Sequence, residues 1–372
     1  MRVLVTGARA PVALDLARAL QAAGAPVALA DSVTPFAAHL LRPRVPVHRL
    51  PPPRQAFGAF QTALLRLLDR VDLVVPICEE VFWLAEAARR GGWAGRLLAP
   101  PPATLRALHS KALFPELART AGVDAPQTWV LSDPAHLPTL PGRAGLIFKP
   151  EFSRFGTARL GHPGAVPTPA RRWVAQERLV GEELCVWSLA HAGQLRACAV
   201  YRPVLRQQGG ASYAFEAVER PAVVDMARVL ARATGATGQL SYDVIVTPDG
   251  RVAPIECNPR ATSGLHLLPG AALGGAVLGG GPLLTPAPGT LRYLAPALAV
   301  LGPLGALQVG SARPLLHTWH AGQDVVGRPG NRAPVAGSLL DAARFALAGV
   351  LAGRSAAGQS TADIEWNGEA MP

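Results

Sequence analysis

Residues 2–90 alternate β-type and helical patterns, and nothing else in the chain narrows its choice of fold so far. RVLVT at 2–6 is a β-type run, followed by Gly7 and a helical pattern over 12–23. A second strand at 26–30 runs up to Asp31; a helix over 57–69, a strand at 73–76 and a helix over 81–90 complete the series. Strand alternating with helix predicts a parallel, doubly wound sheet in an α/β domain over 1–102, closed off by the prolines at 100–102. A strand, a glycine turn, a helix and an acid after the second strand are also parts of a nicotinamide site. Here the turn reads Gly7-Ala-Arg-Ala-Pro11, without the second and third glycines that admit a pyrophosphate, so that reading is weak. Glu79 and Glu80 follow the 73–76 strand, where α/β sheets present ligands, but the acidic first turn of helix 81–90 explains them equally well.

Length and composition set the outer bounds. With 372 residues, 49% apolar and 16% charged, the chain has material for two or three domains with buried cores and is no disordered polymer. The 38 glycines and 36 prolines follow no collagen-like period and read as loop punctuation. Cys78, Cys185, Cys198 and Cys257 lack CxxC spacing and sit among apolar residues, as free thiols do in a reducing cytoplasm. The formal charge of +11 comes from 34 arginines and only two lysines, Lys111 and Lys149. The arginines are scattered, and the densest stretch, 42–54, interleaves four of them with five prolines and no aromatic platform, which argues against nucleic acid as a partner. The apolar run at the N-terminus is too short for a signal peptide, so a cytoplasmic location is expected. Residues 262–291 and 293–312 carry no formal charge, yet Pro and Gly break both, and a buried or loop-rich lobe is expected in place of a membrane span.

Beyond residue 102 the pattern changes. A helix is expected over 111–121, strands at 127–131, 145–149, 172–176 and 184–190, a helix over 223–233 and a hairpin over 239–256. Residues 151–170, with three Pro and three Gly, read as a mobile loop. The last hundred residues are Gly/Pro-rich with one good helix, 339–351, and the tail DIEWNGE (363–369) is polar and aromatic enough to dock back on the fold.

The strongest local signal is SYDVIVTPDGRVAPIECNPR at 241–260. Pro248-Asp249-Gly250 is turn chemistry between two strands. Pairing Thr247 with Val252 places Asp243 opposite Glu256, with Asn258 on the same face as Glu256. Two carboxylates facing each other repel unless something cationic lies between them. Two carboxylates and an amide oxygen form an oxygen-only set suited to Mg²⁺, completed by water and phosphate oxygens. The alternatives are a solvated acidic patch or a Glu256–Arg260 pair. The two lysines add to the metal reading, because a compact ammonium on a flexible stem suits a phosphate oxygen in a tight pocket. There is no GxxxxGK[ST], so the chain is not a P-loop protein.

In order along the chain, Lys111, IFKP with Lys149, QERLVGEE at 176–183, SYDVIV and IECNPR resemble the ATP-grasp superfamily, most closely its carboxylate–amine ligases and carbamoyl-phosphate-synthase-like members. The resemblance covers roughly residues 1–268 and implies an α+β, two-lobed ATP-grasp domain over 103–268, its small lobe at about 122–178, followed by a C-terminal region, 269–372, of uncertain role. It implies ATP and two Mg²⁺ ions, Mn²⁺ being an alternative, as cofactors. Lys111 and Lys149 would contact the phosphates; Gln176, Glu177 and the backbone to Leu179 would read adenine; Glu183 would bind ribose hydroxyls. Asp243, Glu256 and Asn258 would hold the metal, with Glu256 bridging, and Arg260 would steady the transferred phosphoryl group.

The loop after Lys149 departs from the family in having fewer glycines. Ser153, Arg154 and Gly156 would close over the triphosphate, Arg154 supplying a cation, unless Arg154 merely pairs with Glu151. His266 near Arg260 reads better as a core histidine than as a substrate contact. The expected reaction activates a small-molecule carboxylate as an acyl phosphate for attack by an amine-type nucleophile, without nucleic acid or membrane and with a homodimer allowed. A nucleotide-binding module without ligase turnover and a nicotinamide oxidoreductase are the alternatives.

Overall fold

A computed structural model describes residues 1–142, 145–154, 159–206 and 212–372. Phe155, Gly156 and Thr157 of the expected phosphate loop lie outside the described residues. The first unit runs β1 (Val3–Thr6), α1 (Pro11–Ala22), β2 (Val27–Asp31), α2 (Phe36–His39), β3 (Val47–Arg49), α3 (Phe57–Leu68), β4 (Leu73–Val75) and α4 (Glu80–Gly91). Its four strands are all parallel in the order β3-β2-β1-β4. Val3, Leu4 and Val5 are buried on both faces of the sheet because helices cover both, as parallel sheets require. The Gly7 turn is shut from within. A Cβ there would come within 2.8 Å of Glu80 Oε1, and Glu80 is tied to the Thr6 hydroxyl and to the Ile77 and Cys78 amides. Asp31, the acid that would meet a ribose, is instead bound by Arg9.

Two short helices, α5 (Pro102–His109) and α6 (Phe114–Thr120), lead on. Lys111 therefore sits in the turn between two helices, a correction to the single helix expected over 111–121. The break falls at Ser110, which ends the first helix and whose hydroxyl accepts from the Ala112 and Leu113 amides, holding the turn that carries Lys111. Next come β5 (Thr128–Leu131), β6 (Leu146–Pro150), β7 (Arg159–Leu160) and β8 (Trp173–Glu177), an antiparallel sheet ordered β5-β8-β6-β7.

The largest sheet has seven strands. β9 (Glu182–His191), β10 (Gln194–Arg206), β11 (Ser212–Ala217), α7 (Pro221–Thr234), β12 (Gly238–Val246), β13 (Val252–Asn258), α8 (Gly270–Val277), β14 (Leu291–Tyr293), α9 (Ala295–Val309), α10 (Arg313–Ala321), β15 (Gln323–Asp324), α11 (Ala333–Leu351) and α12 (Ala356–Thr361) complete the chain. The strand order is β13-β12-β9-β10-β11-β14-β15, so residues beyond 268 supply the last two strands of this sheet.

The C-terminal region holds more helix than its Gly and Pro content predicts. Proline stands in the first turn of α9, α10 and α11, where its missing N–H costs nothing; these prolines open helices and do not punctuate loops. Nor is this region wholly buried, for Val300, Leu304 and Leu307 of α9 face outward. Among the described residues one helix, Ala333–Leu351, is long and apolar enough to cross a membrane. It lies against α2, with Gly337 directly on Ala37 and Asp341 accepting from the Phe36 and Ala37 amides. All four cysteines are free.

Candidate active site

The hairpin of β12 and β13 sets Asp243 opposite Glu256 and Ser241 opposite Asn258. The turn register is one residue from the expected one: Val246, not Thr247, pairs with Val252. A bulge between the Val244–Pro254 and Asp243–Glu256 pairs takes up Ile255 and restores the Asp243–Glu256 pair, a usual way for a strand to re-aim a side chain. The bulge has a second effect. It turns the Ile255 carbonyl toward Gln176 of β8, whose Nε2 donates to it at 3.3 Å, so the two sheets are stitched together beside the acidic pair.

Both lysines reach this point. Lys111 Nζ lies 3.4 Å from Glu256 Oε2 and donates to the Ser153 carbonyl at 2.9 Å. Lys149 Nζ donates to Gln176 Oε1 at 3.0 Å and is buried. Burial lowers the Lys149 pKa, opposed by Glu256. Burial pushes the Glu256 carboxyl up, but Lys111 and Lys149 outweigh it and hold it down; Asp243 is raised by burial and by Glu256 opposite. Two ammonium groups thus serve one carboxylate and leave the other short of positive charge. Asn258 Nδ2 donates to Glu256 Oε1 at 3.1 Å and fixes the amide oxygen toward Arg260, whose Nη2 donates to it at 3.3 Å.

Arg260 opens a charge relay. Its Nε donates to Glu79 Oε1 at 2.8 Å, and Arg154 Nη2 donates to Glu79 Oε2 at 3.1 Å. Glu79 stands at the N-terminus of α4, where the helix dipole favours an anion. Burial raises its carboxyl, but the two guanidinium groups carry it down to about 2. Arg154 also donates to Glu365 Oε2 at 2.8 Å and to the Trp366 carbonyl, so the C-terminal tail is part of the same network. The proposed Arg154–Glu151 pair does not form; Glu151 is held by Arg172 at 2.7 Å and by Ser110 at 2.6 Å.

The expected nucleotide edge is less closely drawn in. Gln176 is buried, its side chain serves Lys149 and Ile255, and its strand is paired on both sides, to Thr128 and to Ile147. Glu177 accepts from the Gln127 amide and from Arg251, and Leu179 lies in the link between β8 and β9. Glu183 pairs with Arg206 and its neighbour Glu182 with Arg220, all half-exposed, and the Glu183 charge adds to the upward push on Asp243. His266 is a core histidine: its Nδ1 donates to Asp15 Oδ2 at 2.8 Å and its ring stacks on Phe215.

The Asp243–Glu256 pair presents carboxylate oxygens only, with the Asp243 carboxyl lifted by burial and by its neighbour's charge, which fits a hard divalent cation. The Asn258 amide oxygen, here accepting from Arg260, lies beside it. Among the described residues no place gathers three or more His, Cys, Asp or Glu, so the remaining ligands would be phosphate oxygens and water. Of the two acids after the 73–76 strand, Glu79 joins this network, and Glu365 is the participant that sequence reasoning does not single out, although the polar, aromatic 363–369 segment signals a docked tail.

No family model matches the chain, and no curated protein matches it in sequence. Solved structures do resemble it in fold. An L-amino acid ligase from Bacillus licheniformis superimposes with a TM-score of 0.55 at 15% identity, covering 74% of this chain and 75% of its own. N5-carboxyaminoimidazole synthetase from Staphylococcus aureus gives 0.61 at 10% identity, over 82% and 85%. A biotin carboxylase from Campylobacter jejuni, solved as a complex with a β,γ-ATP ligand, gives 0.58 at 12%, over 74% and 70%.

Proposed function

We propose, on the premise that the chain has the ATP-grasp fold, that it is an ATP-dependent ligase which activates a carboxylate for attack by an amine-type nucleophile. One observation carries the reading. The only two lysines in a chain of 34 arginines converge on one facing carboxylate pair. Sheet β5-β8-β6-β7 and the seven-stranded sheet would hold the nucleotide between them, with adenine at the backbone of 176–179 and ribose near Glu183.

Lys111 and Lys149 bind the phosphates in this reading, and Arg260 steadies the transferring group. A substrate carboxylate oxygen forms a bond to the γ-phosphorus as the bond to the ADP oxygen breaks. The amine then forms the new C–N bond, loses a proton and expels phosphate. Asp243, Glu256 and Asn258 would hold Mg²⁺, two ions with Glu256 shared, which when bound neutralises charge developing on the phosphate oxygens. The chain's own work is positioning and charge neutralisation, in which a fixed cation contributes more than it would in water. A cytoplasmic location and a homodimer go with this reading.

The test is ADP release from Mg-ATP over a panel of amino and hydroxy acids, with and without amines. Glu256→Gln is expected to abolish it. Full turnover in that variant would end the metal assignment, and slow phosphate release that no carboxylate or amine stimulates would favour a binding module.

A further inference from the structure

Behind the Lys149–Arg154 turn lies a cavity of about 820 Å³ that does not include the carboxylate pair. Its walls are the 150–154 turn, residues 169–172 and the C-terminal segment from Glu365 onward. Five of its eighteen lining residues are arginine (Arg54, Arg106, Arg154, Arg171 and Arg172), against 34 in 372 for the whole chain, so composition does not account for them.

The carboxylates in the wall leave part of that charge unmatched. Glu151 is taken by Arg172, while Glu365 is shared by Arg154 and Arg54, and Glu369 lies 3.5 Å from Arg54. Among the described residues Arg106 and Arg171 have no acidic partner. Arg106 is nonetheless held in place. It donates to the Gly368 carbonyl at 3.2 Å and lies over the rings of Phe152 and Trp366, 5.5 and 5.6 Å from their centroids. Arg154 is 8% exposed and its Nε has no partner. A guanidinium clamped on aromatic faces with open donors is a preorganised anion contact.

The cavity also backs onto the reaction centre. Ser153, in its wall, accepts from Lys111, and Arg154 leads through Glu79 to Arg260. Trp366 stacks on Phe82 and meets Phe152 edge-on, so the tail is a fixed wall.

We infer that this cavity is a subsite for a second anionic group on the carboxylate substrate, so that the substrate carries a further carboxylate or a phosphate besides the group that is activated. The inference rests on the ligase reading for its place in the reaction, but the binding it asserts can be measured alone.

The experiment compares wild type with the Arg106→Gln/Arg171→Gln double variant, with Arg228→Gln on α7 as an outside control. Binding of glutarate and of O-phosphoserine, against butyrate, is followed by calorimetry without nucleotide; ADP release with Mg-ATP is followed in parallel. Expected are binding of at least one dianion to wild type, no comparable binding of butyrate, and weakening of tenfold or more in the double variant alone. In turnover the same change raises KM and leaves the kcat ratio much less affected. Which dianion binds separates a carboxylate from a phosphate. Binding that meets these terms without ADP release from any acid would uphold the subsite and overturn the ligase reading. ADP release stimulated equally by butyrate and unchanged in the double variant would uphold the ligase and overturn the subsite, as would failure of both dianions to bind.

Discussion

Lys111 and Lys149 are both buried, and they differ in their partners. Lys149 donates to the Gln176 side chain, whereas Lys111 spans a backbone carbonyl and Glu256. Replacing Lys149 by Arg keeps the charge and loses the fit. A fall in kcat of roughly 10²-fold or more is expected, in line with loss of one preorganised charge contact, measured as steady-state ADP release. Glu79 is the other exacting residue. It neutralises Arg154 and Arg260 together, so Glu79→Gln leaves two guanidinium groups short of charge in a buried place. A loss of about 3 kcal/mol is expected from breaking a buried pair, read from urea unfolding. The facing of Asp243 and Glu256 was legible in sequence because strand periodicity is local. The Glu79 relay was not, since its partners lie 75 and 181 residues away.

Among the elements, the β8–β9 link joins the two sheets that would grip the nucleotide, and Gly181 is its tightest point. A Cβ there would lie 2.8 Å from the Val246 carbonyl carbon and 2.9 Å from Thr247 Cα, with the Val246 oxygen closer still. Backbone cannot rotate away as a side chain can, so Gly181→Ala must shift the link or the end of β12. A destabilisation of about 2 kcal/mol is expected from such overpacking, together with a raised KM for ATP if the 176–179 backbone reads adenine. A denaturant titration and ATP dependence of ADP release check both. Prolines were the element-level signal most easily misread. The C-terminal region read as loop because Pro breaks a helix interior, yet Pro296, Pro314 and Pro334 stand in first turns and α9 runs on through Pro303.

For the molecule as a whole, the N-terminal unit and the large sheet are joined by a buried polar cluster around Asp15. His266 from beyond β13, Arg328 from beyond β15 and Arg18 from its own helix converge on it. Burial raises the Asp15 carboxyl, but His266 and the arginines bring it down to about 2. A carboxyl with a depressed folded-state pKa adds stability above its ordinary value near 3.8, and that stability is lost as pH falls toward 2. Wild type should therefore lose roughly 2 kcal/mol across this window from Asp15 alone, a loss missing from Asp15→Asn in unfolding measured at successive pH values. The tail makes a second tie. Trp366, 5% exposed, packs on Phe82 and Phe152. Trp366→Ala should cost about 3 kcal/mol, seen as a lowered unfolding midpoint.

Short-range order was enough to establish a parallel N-terminal sheet, a β-ribbon bearing two opposed acids and two singular lysines, because alternation, turn residues and residue rarity are written within a few positions of one another. Tertiary structure alone decided that Ile255 bulges, that Glu79 joins two arginines from different parts of the chain, and that the last residues wall an arginine-lined cavity. Those outcomes depend on which distant surfaces exclude water together, and side-chain burial sums contributions from the whole fold that no local window contains.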